Sequence, residues 1–228
     1  SPMVQRQRKF VSPPQNLENV FLSPDGGSLS LELRGKALVS GNWEGSVQQY
    51  GWHQGVRYRL PQILPDGKHL LLLSDEPGYE RFEIHPLRKD FEKVTEEVVI
   101  IDNPDLGRVT SFVPAPKGSL VAIENHRCEL IIMDLESKEF KTIDRNEFGL
   151  IWELNWSPDG RWLTYSNNRD RNTRHIIIRD SKENQLHIVS KPVLYDANPV
   201  FDPEGKYLYF VSIRNLNPLP DSIQFDFI

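Results

Sequence analysis

The chain has 228 residues, with 27 Lys+Arg against 32 Asp+Glu and a formal charge of −5; that length buries a core without staples, and the mildly acidic balance argues against a nucleic-acid partner. With 38% apolar and 10% aromatic residues, disorder is excluded. The longest apolar stretches, Leu70 to Leu73 and Val98 to Ile101, are strand-sized, so no membrane partner is expected, and Ser1 to Phe10 carries no apolar signal-peptide core.

In chain order, Arg8-Lys9-Phe10-Val11 reads as a short strand placed to complete the last of a series of repeats. Five segments then share one pattern, an apolar run, a Pro-acid-Gly turn or close variant, and a second apolar run. They are Phe21-Leu22-Ser23-Pro24-Asp25-Gly26, Ile63-Leu64-Pro65-Asp66-Gly67, Val113-Pro114-Ala115-Pro116-Lys117-Gly118, Trp156-Ser157-Pro158-Asp159-Gly160 and Phe201-Asp202-Pro203-Glu204-Gly205. Pro24, Pro65, Pro116, Pro158 and Pro203 are 41, 51, 42 and 45 residues apart. Proline presets φ, the acid accepts local backbone bonds and glycine takes positive φ, so each turn predicts a hairpin.

Second strands follow as Leu29 to Leu33, Leu120 to Ile123, Trp162 to Tyr165 and Tyr207 to Val211. Third strands are clearest at Leu130 to Asp134 and His175 to Asp180, and weaker fourth strands lie at Phe140 to Ile143 and Gln185 to Val189. Four strands repeating at this period predict an all-β chain built of four-stranded antiparallel propeller blades, about five in number. Their approximate spans are 12–52, 53–104, 105–145, 146–191 and 192–228. Arg88 to Glu97 is the one helical candidate; it is charged on most faces and reads as the insertion that lengthens the second repeat. The fifth unit supplies strands near Pro199 to Asp202, Tyr207 to Ser212 and Ser222 to Phe227. A closed ring completed by Arg8 to Val11 and an excerpt of a larger ring both fit this ending.

Chemistry-bearing motifs are few. There is no Gly-x-Ser-x-Gly, Walker loop, dinucleotide fingerprint or His-Glu-x-x-His, and His53, His69, His85, His126, His175 and His187 have no ligand spacing. No catalytic residue, metal site or cofactor is therefore assigned. The lone Cys128 excludes an internal disulfide, fits a reducing compartment and reads as a buried, inert thiol in a strand. Asp196 with Asp202 and Glu204 looks like an acid cluster, but the turn itself demands an acid. Asn167 to Asn172 is a polar loop between strands, where solvated hairpins belong.

The repeat resembles the Ser-Pro-Asp-Gly propellers of TolB-type proteins, prolyl oligopeptidases and tricorn proteases. Gln5 to Val11, Arg34-Gly35-Lys36, Gly41-Asn42-Trp43-Glu44-Gly45, Gly55-Val56-Arg57-Tyr58-Arg59-Leu60 and Leu64 to Lys68 are similar to the second propeller of bacterial tricorn-like proteases. Asn125-His126-Arg127 and Phe201 to Phe210 with Arg214 extend the likeness over essentially the whole chain.

The resemblance implies a cytoplasmic serine peptidase assembled as a large homo-oligomer. In it a seven-bladed second propeller passes peptides toward catalytic residues held in other domains of the parent protein. On that reading the chain is a non-catalytic channel or gate for peptide substrates, with Arg57, Arg59, Trp152 and Asn155 on or near innermost strands as channel contacts. The alternative is a stand-alone TolB-type module that binds a protein partner on one propeller face.

Overall fold

The computed structural model describes residues 13–88, 97–183, 185–192 and 194–214. Its Pro-acid-Gly segments are reverse turns joining antiparallel strands. In the first, Gly26 takes φ 74°, and its N–H donates to the Ser23 carbonyl at 2.9 Å. Asp25 accepts the Ser23 hydroxyl at 2.5 Å and the Gly27 N–H at 3.0 Å. Asp159 repeats this with the Ser157 hydroxyl at 2.5 Å and the Arg161 N–H at 3.1 Å. The serine hydroxyl is the largest influence holding both carboxyls below the usual carboxylate range. Where Leu64 replaces the serine, Asp66 accepts the Lys68 and His69 amides instead.

Four sheets are four-stranded antiparallel meanders. The first holds β1 (Leu17–Leu22), β2 (Ser28–Leu33), β3 (Lys36–Gly41) and β4 (Gln48–Tyr50). The second holds β5 (Tyr58–Ile63), β6 (His69–Ser74), β7 (Arg81–Pro86) and β8 (Val99–Ile101). The third holds β9 (Val109–Pro114), β10 (Leu120–Asn125), β11 (Glu129–Asp134) and β12 (Phe140–Arg145). The fourth holds β13 (Trp152–Trp156), β14 (Trp162–Asn168), β15 (Arg174–Asp180) and β16 (Leu186–Ile188). The fifth shows β17 (Asp196–Phe201) paired with β18 (Leu208–Ser212). The fold is all-β, and these sheets are the blades of a β-propeller. Helix is confined, among the described residues, to the turn Pro13–Asn16 and the 3₁₀ turn Pro104–Leu106.

The chain forms two compact units, Ser1–Thr142 and Ile143–Ile228. In the first unit, sheets stack face to face. Leu70, Leu71, Leu72 and Leu73 of β6 are all buried, which a strand achieves only when both faces of its sheet are covered. One core joins Leu71, Leu73 and Phe82 to Val109, Phe112, Val121, Ile123 and Met133. Phe82 and Phe112 meet edge to face at 5.3 Å between ring centres. A second core gathers Ala37, Tyr50, Tyr58, Ile63, Leu70 and Leu72. Gly51, at φ 72°, admits the Tyr58 ring where a Cβ would lie 2.4 Å from it.

Blade 5 differs from the others at equivalent positions. Tyr209 and Val211 of β18 correspond to Ser30 and Glu32, Leu71 and Leu73, and Thr164 and Ser166, all buried, yet they are 62% and 59% exposed. Cys128 departs from the strand expectation as well. It is half-buried at φ 61° in the β10–β11 hairpin, because the chain must reverse before Glu129 can start the returning strand. Most of the helical candidate (residues 89–96), the Arg8 to Val11 strand and the Ser222 to Phe227 strand lie outside the described residues.

Candidate functional site

The first strand of every blade is irregular at one place. The pairing registers shift between Leu17 and Asn19 in β1, Arg59 and Gln62 in β5, Trp152 and Asn155 in β13, and Ala197 and Val200 in β17, and β9 shifts opposite Glu124 and Asn125. Such bulges bend a strand and turn one backbone N–H out of its ladder. Leu60, Glu153 and Asn198 occupy equivalent bulge positions at φ 47°, 63° and 53°, in the left-handed region.

The Leu60 and Asn198 amides are satisfied by carboxylates of the preceding blade. Glu32 Oε2 accepts the Leu60 N–H at 3.0 Å and the Asn19 amide at 2.8 Å. Glu153 Oε2 accepts the Asn198 N–H and the Ser166 hydroxyl, both at 2.6 Å. Further side-chain bonds cross the same seams. Ser30 Oγ donates to the Pro61 carbonyl at 2.6 Å, and Gln62 Nε2 to the Phe112 carbonyl at 2.8 Å.

These seams place the arginines. Arg59 lies along the start of β5 and is mostly buried. Its guanidinium pairs with Glu80, donates to the Val109 carbonyl at 3.2 Å and faces Glu32 Oε1 at 4.0 Å. Glu80 in turn accepts the Val109 N–H at 2.7 Å, so this pair ties blade 2 to blade 3. Arg57, just before β5, is exposed; it bonds Glu18 at 2.6 Å and approaches Glu32 at 3.6 Å.

Arg57 and Arg59, with Arg108 from the start of blade 3, line a polar cleft of about 390 Å³. Asp75, Tyr79 and Glu80 line it too, the Tyr79 hydroxyl donating to Asp102 at 2.9 Å. The Arg108 guanidinium has no bonding partner among the described residues. Chemically the cleft offers exposed guanidinium donors beside the carboxylates of Asp75 and Glu80, and those donors can hold a carboxylate or peptide carbonyls.

The second unit carries the remaining two predicted contacts. Trp152 is 41% exposed, with the Arg174 guanidinium 5.6 Å from its ring. The opposite side of Arg174 faces Tyr195 at 5.7 Å. Asn155 accepts the Phe201 N–H from β17 at 3.2 Å through its side-chain carbonyl oxygen. The suspected acid cluster is dispersed among local partners. Asp202 accepts the Tyr207 N–H, Glu204 pairs with Lys206, and buried Asp196 bonds the Ser212 hydroxyl. In the polar loop, Asp170 accepts the Asn172 and Thr173 amides at 2.8 Å, as a hairpin requires.

Sequence reasoning missed Glu32, Glu80 and Arg108. Glu32 had a readable signal, an acid inside an otherwise apolar second strand. Glu80 and Arg108 are placed by loops and carry none. Among the described residues no group of three His, Cys, Asp or Glu side chains could hold a metal ion, and no helix is long and apolar enough to cross a membrane.

Comparison with known proteins decides the family. The model of the tricorn protease second β-propeller domain matches residues 17–228. The chain belongs to the tricorn protease family. A tricorn protease homolog from Saccharolobus solfataricus is 31% identical over 221 residues, covering 97% of this chain and 19% of the relative. Tricorn protease homolog 1 from Streptomyces coelicolor is 30% identical over 174 residues, 75% of this chain and 16% of that protein. The chain thus spans about one fifth of the length of these tricorn relatives. Among solved structures, the crystal structure of the tricorn protease superposes with a TM-score of 0.75 at 20% identity, covering 92% of this chain and 20% of that one. TolB from Acinetobacter baumannii gives 0.55 at 15% identity, over 87% of this chain and 47% of that one. At these identities the structural likeness speaks to the fold alone.

Proposed function

We propose that this tricorn-family propeller is a peptide passage serving a catalytic domain outside the chain, and that it is not itself a peptidase. The observation that carries this reading is the cleft where Arg57, Arg59 and Arg108 converge at the starts of the first strands of two successive blades. On this reading an extended chain passes along such strands through the central channel of the propeller and a folded one is excluded. Within the cleft the roles divide. Arg59 is a positioning residue, held by Glu80 and Val109, while Arg57 and Arg108 have the exposure needed to meet peptide carbonyls or a terminal carboxylate. Trp152, braced by Arg174, offers an aromatic face to the same kind of ligand. The peptide substrates, homo-oligomeric state and cytoplasmic setting of the parent enzyme belong to this same reading.

The test uses the whole peptidase. Arg57→Glu combined with Arg108→Glu should slow cleavage of peptides of twenty or more residues several-fold while leaving a short chromogenic substrate unchanged. Equal slowing of both, or of neither, overturns the passage.

A further inference from the structure

A second cleft, of about 500 Å³, lies between blades 2 and 3 at the ends of β5 and β9, beside the Pro-acid-Gly turns. Its size falls in the range of ligand-binding pockets. Its wall is apolar, formed by Leu64, Ile84, Val99, Pro114, Leu120 and Leu135. The titratable groups of the lining are Asp66, His69, Glu97 and Glu136. The one cationic candidate, His69, is already bonded through Nδ1 to Asp66 at 2.5 Å. Glu97 and Glu136 are exposed carboxylates with no cation paired to either among the described residues. The nearby ammonium of Lys138 points elsewhere, donating to the Ile100 carbonyl at 3.4 Å.

An apolar hollow with a rim of unneutralised carboxylates is complementary to one ligand chemistry. We infer that this cleft binds an extended peptide segment in which a bulky apolar side chain fills the hollow and an adjacent lysine or arginine meets Glu97 and Glu136. The wall supplies burial for the apolar group, and the rim supplies direction, since a segment with an acidic neighbour meets repulsion from the same two carboxylates. The site is separate from the arginine cleft, does not depend on the passage reading, and lies wholly within one compact unit.

The experiment uses the 228-residue chain and a fluorescein-labelled peptide, Gly-Ala-Phe-Lys-Lys-Ala-Gly. Two counterparts accompany it, one with alanine for the phenylalanine and one with glutamate for both lysines. Fluorescence anisotropy should show the parent peptide binding at least about tenfold more tightly than either counterpart, the scale of one filled pocket or a pair of favourable charges. In a Glu97→Lys/Glu136→Lys variant the preference should invert toward the glutamate peptide. Both positions are exposed, so the variant retains the fold, which its melting temperature verifies. Val99→Trp, at a side chain already 39% exposed, should fill the hollow and abolish binding of all three peptides. Equal binding of the three, no binding of the parent peptide, or an unchanged preference in the charge-reversed variant overturns the site.

Discussion

Glu32 of blade 1 and Leu60 of blade 2 are joined by a 3.0 Å hydrogen bond in which a wholly buried carboxylate accepts the amide of a left-handed leucine. The bond helps hold a non-glycine residue at φ 47° there, since the bulge turns the amide out of its own ladder and Glu32 of the neighbouring blade accepts it. Removing the carboxylate strands the Leu60 N–H, the Asn19 amide and the nearby guanidiniums together. Glu32→Ala should cost about 3–5 kcal/mol in urea unfolding, and Glu32→Gln distinctly less. A loss below about 1 kcal/mol for Glu32→Ala would show that the seam does not depend on this acid.

Arg57 and Arg59 are two residues apart and should behave differently. Arg57→Ala removes an exposed pair with Glu18 and should change stability by about 0–1 kcal/mol. Arg59→Ala leaves the mostly buried Glu80 without its cation and should cost about 3 kcal/mol or more. Chemical denaturation of the two variants side by side checks the contrast, and comparable losses would refute the assigned division of roles.

Asp180 is held down to about 2, first by its hydrogen bonds from Arg161 at 2.5 and 2.9 Å. A folded-state value below the ordinary 3.8 means the protonated form is favoured by unfolding. The stabilisation is therefore complete above about pH 4 and is lost as pH falls toward 2. Melting temperatures across that window should fall more steeply for the wild type than for Asp180→Asn. Parallel curves would show that this pair does not contribute to acid sensitivity.

Tyr165 is buried and donates its hydroxyl to Asp144 at 2.5 Å. Burial, reinforced by the negative charge of Asp144, pushes its ionisation far above the usual tyrosine range. Tyr165→Phe should cost about 1.5–3 kcal/mol, the scale of a hydrogen bond to a charged partner. Ultraviolet titration of the intact protein should leave this one phenol protonated until alkaline unfolding.

Trp43 is 89% exposed on the β3–β4 loop, where Asn42 bonds the Gly26 and Gly27 carbonyls. Because its ring buries little, Trp43→Ala should shift stability by no more than about 0.5 kcal/mol. Gly41 beside it behaves oppositely, since an added Cβ would lie 1.8 Å from the Glu44 carbonyl oxygen. Gly41→Ala should melt well below the wild type.

The repeat was legible because its chemistry is local. Ser23, Pro24, Asp25 and Gly26 build their turn almost without outside help, and the strands follow from the apolar runs on either side. The site was legible only where it lay on a strand of that repeat. Arg57 and Arg59 could be placed at the head of β5, but their division into an exposed and a buried guanidinium depends on Glu80 and Val109, 21 and 50 residues beyond Arg59. The side-chain carbonyl oxygen of Asn155 accepts the N–H of Phe201, 46 residues later, a bond that no local pattern announces. Sequence alternation gives the face of a strand, and it does not give which neighbouring blade covers that face.

The acid that pairs with a polar side chain inside a blade changes strands from one blade to another. Asn19 bonds Glu32 and Ser111 bonds Glu124, whereas in the fourth blade the acid is Glu153 on the first strand and the hydroxyl is Ser166 on the second. Blade 2 pairs Arg59 with Leu73 where the first and third blades hold an acid, and there Glu80 from a loop bonds Val109 instead. At the three junctions that an acid and a backbone amide bridge among the described residues, that acid comes from a second strand, a loop and a first strand in turn, as Glu32, Glu80 and Glu153. A junction acid is therefore recognised by the amide it accepts, and a search for glutamate at one fixed strand position would overlook the acids of the other two junctions.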